Sequence, residues 1–66
     1  MRVEILIRKV RKEKNIKLEE LARLSGISKG TLSKIERQEQ EPRFSNMVMI
    51  ALALKVNITD LYKIHF

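Results

Sequence analysis

Cysteine and tryptophan are absent from this 66-residue chain, proline occurs once, glycine twice and histidine once. Without cysteine there is no disulfide and no thiolate metal site, and a single histidine is not a metal centre. Very small domains usually lean on disulfides, a metal or a partner subunit. The first two are excluded, which leaves self-association or very economical packing. A chain of this size buries only about 60% of the surface its unfolded form exposes, so the need is real. No apolar run reaches the ~18 residues of a membrane span, and the first residues lack a signal peptide's layout. Scarce glycine and proline also give little support to strands and hairpin turns.

What is present is 44% hydrophobic and 33% charged, the composition of one folded soluble domain, and the lack of cysteine fits a reducing cytoplasm. The formal net charge is +6. The excess has a location: residues 1–17 carry seven Lys and Arg against two Glu, and the rest of the chain is nearly balanced. Such a basic excess suits a polyanionic partner.

Helical periodicity dominates the chain. Val3, Leu6, Ile7 and Val10 predict a first helix from about Glu4 to Lys14, whose other face carries Arg8, Arg11 and Lys12. A second helix is predicted over Leu18–Ser25, ended by Gly26 in the left-handed conformation. Ser28 is then a strong N-cap, with Ile27 and Leu32 placed as a hydrophobic staple, so a third helix runs to about Arg37. Only Gly26 and Ile27 separate the two, which forces a steep crossing. Gln38–Glu41 and Pro42 read as a loop. Phe44–Leu54 is an almost wholly apolar fourth helix, and Asn57 with Asp60 spells a capping box for a short fifth. The tail alternates apolar and polar residues from Lys63 to Phe66 and has the pattern of a short strand. The expectation is a compact all-α domain of five helices, a single unit over residues 1–66.

The stretch Leu18–Glu36, LEELARLSGISKGTLSKIE, is the most specific feature. Ala22 permits close helix approach and Gly26 makes a tight turn. Ile27, Leu32 and Ile35 hold the third helix in place, and its outer face is left free for a major groove. In register with it stand Arg11, Leu21-Ala22, the Ser25–Ser28 segment, Ser33–Glu36, Pro42–Phe44, Ala51–Val56 and Asp60-Leu61. Together these residues resemble the lambda-repressor/Cro-type helix-turn-helix family, the xenobiotic-response-element type of bacterial regulators, from about Ile7 to Leu61.

The resemblance implies a sequence-specific regulator of transcription on double-stranded DNA. It would act as a homodimeric repressor on a pseudo-palindromic operator, with two recognition helices about 34 Å apart. Ser28, Lys29, Gly30, Thr31 and Lys34 would then read bases: lysine suits guanine O6 and N7, and threonine a hydrogen bond or a thymine methyl. Lys17, Ser33, Arg37 and the amides near Phe44 and Ser45 would meet phosphates, and Arg43 a narrow A·T-rich minor groove. The basic face of the first helix reads by itself as an ordinary solvated face; within this family Arg8 would add sequence-independent attraction. Arg11 and Glu36 match a structural ion pair between helices one and three.

The chain departs from the family pattern at Lys17 and Leu18, where a capping hydroxyl and a glutamine are usual. It departs again at Gln38, where glycine usually ends the third helix. Gly30 is unusual in an exposed helix position, at a cost of about 1 kcal/mol against alanine.

Met49 and Leu52 face away from the core positions of their helix, where a dimer interface is expected, and Tyr62, Ile64 and Phe66 are either part of that interface or a C-terminal patch on the core. Met47 reads as a packing residue and His65 as a solvated tail residue. No catalytic set converges: Glu19 and Glu20 face solvent, and there is neither a Ser-His-Asp combination nor a glycine-rich phosphate loop. The expectation is no enzyme, no cofactor, no metal, no membrane contact and no ligand-sized cavity. The protein would work in the cytoplasm at the nucleoid, with polymerase as a possible second partner. Two alternatives are an antitoxin whose helix-four and C-terminal surface binds a toxin, and a protein-interaction module that has lost DNA binding.

Overall fold

The computed structural model describes all residues, 1–66. Its elements in order are strand β1 (Arg2–Ile5), helices α1 (Ile7–Glu13), α2 (Leu18–Ser25), α3 (Lys29–Glu36) and α4 (Phe44–Leu54), a 3-10 turn (Ile58–Leu61) and strand β2 (Tyr62–His65). The chain is therefore mostly helical, with a two-stranded antiparallel sheet that joins its ends. No helix is long and apolar enough to cross a membrane.

The all-α, five-helix expectation needs two corrections. The predicted first helix loses its first turn, because Arg2–Ile5 pairs with Tyr62–His65, with Val3 opposite Ile64 and Ile5 opposite Tyr62. The segment Arg-Val-Glu-Ile alternates polar and β-branched residues, so it fits a strand as well as a helix face. The partner strand, 60 residues away in sequence, decides between them. The predicted fifth helix is only the 3-10 turn, in which the Asp60 carboxylate accepts the Asn57 amide at 3.0 Å. The strand pair separates two faces. Val3, Ile5, Tyr62 and Ile64 share one, and on the other His65 Nε2 meets Glu4 Oε1 at 2.8 Å. That bond holds the Glu4 carboxyl below its usual range. His65 is thus half-buried and partnered rather than a free tail residue.

The core is assembled at helix spacing. Ile7, Leu21, Leu32, Ile35, Ile50 and Leu61 are fully buried, with Met47, Ala51 and Leu54 completing the cluster. Each large side chain so buried stabilises the fold by roughly 1.5–3 kcal/mol. On α4 these positions are one stripe, and three large apolar residues of that helix are left in water: Phe44 is 75% exposed, Leu52 67% and Met49 44%.

Gln38 replaces the glycine expected after α3, and the structure shows how. Its backbone adopts the left-handed conformation, φ 64°. Its side-chain amide then behaves like a third strand: Oε1 accepts the Ile5 N–H at 3.0 Å and Nε2 donates to the Ile5 carbonyl at 2.9 Å. Both outward-facing backbone groups of Ile5 are satisfied, which closes that stretch of the sheet edge. Gln38→Ala keeps the backbone strain and loses both bonds, so it should lower stability by about 1–2 kcal/mol. Gln38→Gly loses the same bonds but relieves the strain, so it should cost less. Thermal unfolding of the pair checks the order.

Candidate nucleic-acid interface

The interface is built on the α2–turn–α3 unit. Gly26 ends α2 with φ 74°, a conformation in which a side chain would be strained, and its amide donates to the Ala22 carbonyl at 3.0 Å. The Ser25 hydroxyl accepts the Ile27 amide at 3.3 Å and tightens the turn. Ser28 then caps α3: its Oγ accepts the Thr31 amide at 3.2 Å and donates to the Thr31 hydroxyl at 2.9 Å. Leu32, Ile35 and Glu36 turn inward and are buried, which leaves Lys29, Gly30 and Lys34 exposed and Thr31 and Ser33 half-buried. Five of the residues named from the sequence therefore share the outer part of one short helix. The Ser28 and Thr31 hydroxyls are thus engaged with each other. Nothing stands within 4 Å of a methyl group built on Gly30, so the protein itself does not require glycine there.

What anchors α3 to α1 is a buried, two-pronged ion pair. Arg11 Nε lies 2.7 Å from Glu36 Oε2 and Arg11 Nη2 lies 3.0 Å from Oε1. The remaining nitrogen, Nη1, donates to the Ile16 carbonyl at 2.9 Å, which ties down the turn between α1 and α2. The side chains are only 11% and 5% exposed, and no buried polar side-chain atom in the protein lacks a partner. Glu36 accordingly holds the Arg11 guanidinium above its usual pKa.

The flanking residues are arranged less uniformly. Arg8, Lys17, Arg43, Phe44 and Ser45 are exposed. α2 and α4 begin at Lys17 and Arg43 without a side-chain cap, so their first amides point outward unpaired by any side chain. Arg37 is not free. Its Nε is held by Glu39 Oε2 at 2.9 Å, and a phosphate would have to displace that carboxylate. Leu18 is half-buried against the core. Sequence reasoning missed Glu19, whose Oε1 lies 2.7 Å from the Lys29 ammonium; ten residues separate them, and only the steep α2–α3 crossing brings them together.

The expected interface between subunits maps to scattered exposure: Met49, Leu52, Ile64 and Phe66 are exposed and Tyr62 is half-buried. The expectation of no ligand-sized cavity does not hold. An open groove of about 690 Å³ lies between the apolar face of the strand pair and the loop before α4. Val3, Ile5, Phe44, Met47, Tyr62 and Ile64 line it. It arises where three distant segments meet, which no local pattern announces. No cluster of His, Asp or Glu suited to a metal ion occurs anywhere in the chain.

A capped helix presented across a three-residue turn, locked from behind and basic on its outer face, defines a helix-turn-helix protein. The family model described as helix-turn-helix, HTH_3, matches residues 7–61, and the chain belongs to that lambda-repressor/Cro-type family. Among solved structures it is similar to the restriction-modification controller protein C.AhdI from Aeromonas hydrophila (28% identity, TM-score 0.79, 82% of each chain). It is also similar to the DNA-binding domain of the phage P22 c2 repressor (29% identity, TM-score 0.79, 89% of this chain and 82% of that one). An HTH_3 family transcriptional regulator from Vibrio cholerae matches at 32% identity and TM-score 0.77, over 80% of this chain and 30% of the regulator. A comparison with curated proteins gives no significant match.

Proposed function

We propose that this protein is a sequence-specific, double-stranded DNA-binding regulator of transcription, with no catalytic activity, that acts as a homodimeric repressor by occluding a promoter. The observation that carries the reading is the outer face of α3. Lys29, Thr31 and Lys34 stand there around a Ser28-capped N-terminus, and buried Leu32, Ile35 and Glu36 hold the helix from behind. The basic N-terminal segment and the uncapped starts of α2 and α4 supply phosphate contacts beside it. Arg43 reaches for the minor groove. Similarity to a repressor domain and to a restriction-modification controller supports the same reading.

Dimerisation is supported by the apolar residues left in water on α4. Met49 and Leu52 lie one turn apart on its outer side, and self-association removes them from solvent. The experiment is a binding selection from randomised duplex DNA in about 0.15 M salt, with the mass of the protein in solution recorded. A pseudo-palindrome with half-sites ~10 bp apart, bound by a dimer, is the expected result. Leu52→Glu should shift the protein to monomer and weaken operator binding at least tenfold while leaving the fold intact. Unenriched DNA, bound only at low salt, would mean that charge alone is acting.

The open apolar groove favours a second reading, an antitoxin that holds a partner protein on its strand-pair face while α3 stays on DNA. Co-purification of a second small protein that occupies this face separates the two readings.

A further inference from the structure

Lys29 and Lys34 both project from α3, but they are not equivalent. Lys34 has no carboxylate partner, whereas the Lys29 ammonium is held 2.7 Å from Glu19 Oε1 on the neighbouring helix. We propose that Glu19 is a specificity-determining residue: it turns Lys29 from a mobile, phosphate-seeking cation into a fixed donor for one base edge. The inference rests on the DNA-reading role of α3 argued above.

Three observations carry it. The first is geometry. A free lysine swings its charge over four rotatable bonds, and phosphates are the nearest anions along a duplex. Glu19 fixes that charge at the entrance of α3. The second is electrostatics. The carboxylate cancels the unit charge of Lys29 and repels phosphate oxygens, while the neutral acceptors of a base edge, such as guanine O6 and N7, still take its N–H groups. The pair therefore penalises backbone contact more than base contact. The third is the setting of Glu19 itself. It stands in the first turn of α2, where the helix dipole favours an anion, and the Lys29 hydrogen bond keeps its carboxyl below the usual range, so it is ionised wherever the protein works. Leu18 beside it is packed on the core, so on this stretch of α2 Glu19 makes the charged link to α3.

The test compares wild type, Glu19→Gln, Lys29→Ala and the double variant. Each is titrated against the selected operator, its single-base variants and unselected duplex over a range of salt. Because the pair is 59% and 62% exposed, the effect is modest. Glu19→Gln should strengthen binding to unselected DNA by about 3- to 5-fold and steepen the log–log salt slope by about 0.9, one added phosphate contact. It should also relax preference at one base position, the same one that Lys29→Ala relaxes, and have no effect there once Lys29 is gone. Equal change on operator and unselected DNA, or an effect that survives in the Lys29→Ala background, would overturn the inference while leaving the DNA reading intact. A wild-type protein that prefers no sequence would overturn both.

Discussion

Arg11→Met should remove roughly a third or more of the protein's stability. The substitution leaves the Glu36 carboxylate, 5% exposed, without the two N–H groups at 2.7 and 3.0 Å that now satisfy it. Breaking a buried pair from one side costs about 3–5 kcal/mol. At roughly 0.05–0.15 kcal/mol per residue, a domain of this length has only about 3–10 kcal/mol in total. The melting temperature should fall by roughly 12 °C or more, at about 4–8 °C per kcal/mol for so small a domain. The loss lies in the unpaired charge and not in the missing attraction, so Arg11→Met with Glu36→Leu should recover most of it. Arg11→Lys should fall between, since an ammonium cannot bond both carboxylate oxygens and the Ile16 carbonyl in one planar fork. Circular-dichroism melts of the four proteins decide the matter. A single Arg11→Met variant within about 1 kcal/mol of wild type would contradict it.

Lys34→Ala should cost about 1–3 kcal/mol at a single base position of the operator, a 5- to 150-fold loss of discrimination there. Its binding to unrelated DNA should change little. Arg8→Ala should do the reverse, weakening every sequence by a similar factor and lowering the salt slope by about one phosphate contact. The contrast follows from position: Lys34 lies on the outer face of α3, and Arg8 on the exposed side of α1. Titration of both variants against the operator and its single-base changes separates the two behaviours. A uniform loss for Lys34→Ala would remove it from base reading.

The local grammar of the helix-turn-helix was legible because it rests on short-range physics. Ser28 as a cap and Gly26 with positive φ are choices that a few neighbouring residues dictate. Arg11 and Glu36 stand apart in sequence and were matched through the resemblance; the buried fork itself could only be seen in three dimensions. The strand pair was half legible. Its C-terminal half alternates visibly, but Val3 also falls on the helical spacing of Leu6, Ile7 and Val10, and only the pairing with Ile64 breaks the tie. Gln38 stands out in the sequence as a departure from glycine, but its solution, a side-chain amide closing the edge at Ile5, depends on a strand that no local pattern announces. Glu19 reads from the sequence as a solvent-facing residue and Lys29 as a base reader, and nothing in the sequence pairs them. Their contact follows from the helix crossing, which fixes their distance only after the turn at Gly26 is built.

The most direct measurement is an amide chemical-shift map of the protein titrated with its selected operator duplex. The account predicts shifts concentrated at Ser28–Lys34, with a second set at Arg43–Ser45 and the first turn of α2. Shifts confined to the strand pair and its groove, with α3 unmoved, would contradict it.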